Sequence, residues 1–123
     1  MLNLKARKYI GDECGDCFQV SADYIVEHPE QSDLLLVHAL VRGQGPIEGV
    51  TYSHGWIEKG DTVISVLQGS YTEIPKELYY VVGQVKMETV VKYNRKQAMD
   101  MLLKHELYGP WDEKVNVPAS YED

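Results

Sequence analysis

Residues 34–41 read Leu-Leu-Leu-Val-His-Ala-Leu-Val, and residues 50–67 read Val-Thr-Tyr-Ser-His-Gly-Trp-Ile-Glu-Lys-Gly-Asp-Thr-Val-Ile-Ser-Val-Leu. These two stretches decide the fold class. The length and β-branched content of the first, a continuous apolar run, point to a buried central strand rather than a helix. The second divides at Lys59-Gly60 into one strand over 50–58 and another over 61–67, joined by a tight turn. Helical signals surround them. Phe18, Ala22, Ile25 and Val26 share one face of a helix from Cys17 to about Glu27, with Asp16 at the N-cap, Gln19 at N3 and Pro29 as the stop. Pro75 opens a short helix through Val82 that Gly83 caps. Val85 to Tyr93 alternates as a half-buried strand, and Asn94 with Gln97 opens a last helix through about Glu106. A short edge strand over 6–10 and an irregular tail from Tyr108 complete the reading. The expected fold is α+β: an N-terminal Cys-bearing helix packed on a mostly antiparallel sheet, with a C-terminal covering helix.

Composition narrows the class. A chain of 123 residues is expected to form one domain, 1–123. Its 44% hydrophobic content builds a core without metal or disulfide. The 12 Lys and Arg stand against 19 Asp and Glu, a net charge of −7 with no basic run, which disfavours nucleic acid as a partner. The densest basic cluster is Lys5, Arg7 and Lys8. No stretch approaches a membrane span and the N-terminus lacks an apolar signal region, so the expected compartment is the cytoplasm, with no membrane partner. Cys14 and Cys17 are too close to staple a secreted scaffold.

The chemistry-bearing candidates are Cys17 and His54. Cys17 falls at a helix start, where backbone N–H groups and the helix dipole favour a thiolate. His54 is the candidate base, on a strand face shared with Tyr52 and Trp56. With Lys59 and Gly60 as the turn, Glu58 faces Asp61 and His54 faces Ser65, which is the candidate third member. Trp56 and Tyr52 are candidate substrate-binding residues. So is Gln44, in Gly43-Gln44-Gly45-Pro46, as a donor to an oxyanion. That loop is no phosphate loop, since it lacks the lysine and the following helix.

Gly15-Asp16-Cys17-Phe18, His54-Gly55-Trp56-Ile57-Glu58 and Leu78-Tyr79-Tyr80 together resemble the compact papain-like and transglutaminase-like superfamily, and small uncharacterised proteins of phages and bacteria. The resemblance covers roughly residues 11–83. It implies a Cys-bearing helix packed on an antiparallel sheet and a Cys–His pair, carried onto Cys17 and His54. It also implies an acid near position 65, where this chain has Ser65. The implied activity is that of a cysteine-dependent hydrolase or acyltransferase on a protein or peptide-like amide, without a cofactor.

Other readings stand beside this one. Asp12, Glu13 and Asp16 lie close to Cys17 in sequence and oppose a thiolate, and a cysteine at a helix start also serves as a small core residue. Cys14-x-x-Cys17 with His38 or His54 can hold zinc, but a second close-spaced ligand pair is absent, so no metal is expected. His38 shares a strand face with Leu34, Leu36 and Leu40 and reads as a satisfied core histidine, or as a liner of the Cys17 site. His28 and His105 fall near helix C-termini, where the dipole suits them. Nine tyrosines against one phenylalanine suit a wet cleft or an interface, with Trp56, Tyr79, Tyr80 and Trp111 the residues of interest. The alternative function is a non-catalytic acidic protein that binds or inhibits through a basic protein surface.

Overall fold

The computed structural model describes residues 17–43, 48–67 and 70–121. In chain order these form α1 (Cys17–Glu27), β1 (Leu34–Arg42), β2 (Val50–Lys59), β3 (Thr62–Leu67), β4 (Ser70–Pro75), α2 (Lys76–Val82), β5 (Val91–Tyr93), α3 (Arg95–His105) and β6 (Ser120–Tyr121). The strands make one antiparallel sheet in the order β4-β3-β2-β1-β5, with β6 paired to β2. The fold is α+β, with α1 opening the described chain and α3 following the main sheet strands, as the sequence patterns predict. The expected edge strand over 6–10, the N-cap at Asp16, and Cys14 lie outside the described residues.

Two apolar layers sandwich the sheet. Ala22, Tyr24 and Ile25 of α1 and Ala98 of α3 pack on Leu34, Leu36, Ile57 and Ile64, and Tyr93 and Trp111 close the layer. On the opposite face Val37, Ala39, Val41, Trp56 and Val63 meet Tyr79 and Tyr80 of α2 and the returning Val85 and Val90. Period-2 alternation assigns the sides: even-numbered β1 and odd-numbered β2 residues face α1, and the others face α2. Each fully buried Leu or Ile contributes about 2 kcal/mol.

Three local readings differ from expectation. The β2–β3 turn is Gly60-Asp61 rather than Lys59-Gly60, because Lys59 pairs with Thr62. Gly60 takes φ +58 as the first turn residue, a left-handed conformation that glycine adopts at no steric cost. The strand expected from Val85 is confined to Val91–Tyr93, and Met87–Thr89 forms a 3₁₀ turn. There the Thr89 hydroxyl accepts from Leu40 N at 2.9 Å and donates to Lys86 O at 2.7 Å, so one side chain replaces a ladder partner. β4 had no counterpart in the sequence reading.

The α3 N-terminus is a complete capping box. Asn94 Oδ1 accepts from Gln97 N at 2.8 Å, and Asn94 N donates to Gln97 Oε1 at 2.9 Å. Asn94→Ala is therefore expected to lower stability by about 1 kcal/mol, read as a shift of the urea midpoint at constant slope. An unchanged midpoint would show that tertiary contacts alone hold the helix start.

Candidate functional site

The β1–β2 ladder runs without a break from Leu34↔Lys59 to Arg42↔Thr51, placing Ala39 opposite His54 and His38 opposite Gly55. His54 thus shares the α2 face with Tyr52, Trp56 and Glu58. Among the described residues the other edge of β2 is paired to β3 from Ile57 to Lys59 and to β6 at Val50 and Thr51. Ser65 is not opposite His54. Its ladder partner is Thr72 on β4, and the β2–β3 pairing ends at Ile57↔Ile64, before His54 is reached. The expected register fails because the turn begins one residue later than Lys59, which moves the whole pairing by two.

The group that holds His54 comes from α2. Tyr79 Oη lies 2.9 Å from His54 Nε2, and the two rings are stacked at an interplanar angle of 17°. Tyr52 and Trp56 flank the imidazole at centroid distances of 6.0 and 5.7 Å. Nδ1 is buried and has no hydrogen-bond partner among the described residues. One ring nitrogen is therefore fixed and the other unbonded, which is the arrangement a general base requires.

Further along the same face of β2 lies a carboxylate that the sequence reading did not single out. Glu58 is 1% exposed. Its Oε2 accepts from Trp56 Nε1 at 3.0 Å and from the Tyr80 hydroxyl, and Lys92 Nζ meets Oε1 at 2.9 Å. Burial alone would raise the Glu58 pKa, but donation from Tyr80, Lys92 and Trp56 outweighs it and holds the carboxyl below its ordinary value. Burial, followed by the Glu58 hydrogen bond and charge, pushes the Tyr80 phenol up. Trp56, expected to touch substrate, is instead 2% exposed and donates its N–H to Glu58. It supports the site from within the core. The signal for Glu58 was available: it continues the Tyr52, His54, Trp56 series by the same period of two. Tyr79 is 25 residues from His54, and no local pattern links them.

Cys17 opens α1 and is a buried thiol, 6% exposed. It clusters with Phe18, and Tyr52 and Tyr108 pack against that pair. Tyr52 also packs into the α2-side cluster beside His54. Cys17, on α1, and His54, on the α2 face of β2, thus sit on opposite faces of the sheet, and what they share is Tyr52, at the stretch of β2 between its β3 and β6 pairings. The Cys17 thiol is not hydrogen-bonded to His54 Nδ1, which has no partner. Gln44 lies outside the described residues.

His38 is on the α1 side, fully buried, among the rings of Phe18, Tyr93 and Trp111 at centroid distances of 4.9, 5.4 and 5.0 Å. Neither nitrogen has a hydrogen-bond partner among the described residues, so the expectation of a satisfied core histidine is corrected. Burial foremost, and then the nearby His54, push its pKa down to about 3, so it is neutral at physiological pH. His28 meets its expectation at the end of α1, with Nδ1 2.7 Å from Tyr24 O.

Among the described residues no group of three or more His, Cys, Asp or Glu is placed to hold a metal ion, and no helix is long and apolar enough to cross a membrane. Searches of family models, of curated proteins and of solved structures find no match to the chain.

Proposed function

We propose that the chain is a cysteine-dependent hydrolase or acyltransferase in which Cys17 is the nucleophile, His54 the base and Tyr79 the group that orients the base. The observation that carries this reading is the state of the His54 ring. Tyr79 holds Nε2 while Nδ1 is buried and unbonded, next to the tyrosine that reaches Cys17. With the proton on Nε2 and donated to Tyr79 Oη, Nδ1 presents its lone pair. Nδ1 takes the thiol proton as sulfur attacks the carbonyl carbon of an amide in a protein or peptide. The C=O electron pair moves to oxygen, and the N–H groups of the first turn of α1 serve as donors to that oxyanion. Collapse breaks the C–N bond, the amine leaves with the proton from Nδ1, and a thioester remains. Attack on it by water gives hydrolysis, and attack by an amine gives acyl transfer. Tyr52 and Tyr108 pack against Cys17 and Phe18, and in this reading substrate displaces Tyr52 so that Sγ and Nδ1 meet past the β2 edge.

The test is iodoacetamide alkylation of Cys17 against pH, read peptide by peptide, in wild type and His54→Ala. The expected result is a reactive Cys17 below pH 7 and a loss of at least about tenfold at pH 6.5 in His54→Ala, the effect of one unit of thiol pKa. A Cys17 that titrates near pH 8.5 in both proteins, or reacts in neither, overturns the reading.

A second reading, a non-catalytic acidic protein that binds a basic surface on another protein, draws on the net charge of −7. It also draws on Leu78, Val81 and Val82, apolar residues that α2 exposes to solvent.

A further inference from the structure

We propose that Glu58 is a positioning residue for His54, acting through Tyr80 and the seating of α2; this rests on the Cys17–His54 reading. α2 is only seven residues long, has no buried residue and no side-chain N-cap, so it has little of its own to hold it on the sheet. Backbone bonds seat its two ends, Lys76 N donating to Asp61 O at 2.7 Å and Arg42 N to Gly83 O at 2.9 Å, and between them two neighbouring tyrosines reach polar groups of the sheet. Tyr80 donates to the buried Glu58 carboxylate, and Tyr79 meets His54 Nε2 at 2.9 Å. Trp56 lies between these two ties. Its ring centroid is 5.1 Å from Tyr79, 5.9 Å from Tyr80 and 5.7 Å from His54, and its N–H donates to the same Glu58 oxygen as Tyr80. Lys92, on β5, completes the carboxylate from the other side.

The anchor therefore joins three elements at one buried carboxylate: β2 through Trp56, α2 through Tyr80 and β5 through Lys92. Releasing that anchor frees the middle of α2 between its backbone-bonded ends, so Tyr79, next in sequence to Tyr80, loses its fixed reach to His54. The loss would leave a buried hydroxyl and indole N–H without an acceptor, and α2 would shift to find other partners. Two of the three donors depend only on the Glu58 Oε2 position. An amide oxygen there still accepts from Tyr80 and Trp56, whereas an aliphatic side chain does not.

The experiment is an NMR titration of the His54 imidazole, run beside Cys17 alkylation at pH 6.5, in wild type, Tyr80→Phe, Glu58→Leu and Glu58→Gln. Tyr80→Phe and Glu58→Leu are expected to move the His54 midpoint away from wild type and to slow alkylation about tenfold, as one unit of pKa does. Glu58→Gln is expected to stay within about threefold of wild type, because it keeps the acceptor. A purely structural role for Glu58 predicts lower melting temperatures with an unchanged His54 titration in the folded protein, and that result overturns the proposal. Tyr80→Phe conserves volume and keeps the test open if Glu58→Leu does not fold. An inert Cys17 with a His54 titration that still follows Tyr80 and Glu58 overturns the catalytic reading and leaves the positioning intact. A reactive Cys17 whose His54 titration ignores both variants overturns the positioning alone.

Discussion

Lowering the pH from 7 to 5 is expected to remove about 2 kcal/mol of folding stability through His38 alone. In the folded chain its pKa is about 3, and in the unfolded chain about 6.5. Between those values the unfolded state binds the extra proton, so stability is fully present above pH 6.5 and falls as the pH drops towards 3. The cause is geometric. The imidazole is fully buried among Phe18, Tyr93 and Trp111, and neither nitrogen has a partner that could stabilise a charge. Tyr93 supplies no anion, because burial and then Asp112 push its phenol up to about 12. His54, on the adjacent strand, adds only repulsion. Glu58 also loses stability in acid, but its lowered carboxyl pKa confines that loss to below its ordinary value of 4.5. The difference between wild type and His38→Leu from pH 6.5 to 5 therefore reports His38. In His38→Leu the slope there should flatten, and stability at pH 7 should be unchanged or higher, since two unpartnered nitrogens leave the core. Urea unfolding of both proteins at several pH values measures this. An equal slope in the two proteins would mean that His38 is solvated in solution.

The residues that order the fold were legible where their pattern is local. α1 repeats apolar residues at the helical period, β1 is a continuous apolar run of strand length, β2 ends at a turn signal, and the Asn94–Gln97 box marks α3 directly. β4 was not legible, because Tyr71, Thr72, Glu73 and Pro75 are all exposed on an edge strand, and only Ile74 turns even partly inward. The segment 85–90 alternates like a strand, yet Thr89 supplies the hydrogen bond to Leu40 that a strand would have made. Which face His54 occupies was readable from parity. What meets it there was not, since Tyr79 arrives through the packing of α2 and not through spacing along the chain. The register error at Gly60 had a larger consequence than its size, because a one-residue change in the turn removed Ser65 from the site.

Gly109→Ala is expected to lower stability by about 4 kcal/mol, by two separable effects. Gly109 adopts φ +127, which costs a residue with a Cβ about 1–3 kcal/mol. That Cβ would also stand 2.7 Å from His38 Cε1 and 3.3 Å from Phe18 Cδ1, adding an overpacking cost of about 1–3 kcal/mol. The imidazole has no room to retreat. The rings of Phe18, Trp111 and Tyr93 pack around it at centroid distances of 4.9, 5.0 and 5.4 Å. Gly60→Ala provides the control, because Gly60 also has a left-handed φ, +58, but nothing lies within 4 Å of its Cβ position. It should cost only about 1 kcal/mol. Comparing the two by urea unfolding separates backbone strain from collision. Combining Gly109→Ala with His38→Ala should recover the collision part, giving a favourable coupling of about 1–2 kcal/mol in a double-mutant cycle. A cycle with no coupling would show that Gly109 is required for its backbone alone. A coupling of the expected size would fix His38 as the residue against which the chain after α3 closes. Phe18, the direct neighbour of Cys17, shares that contact, so the start of α1 is held by the same packing that excludes water from His38.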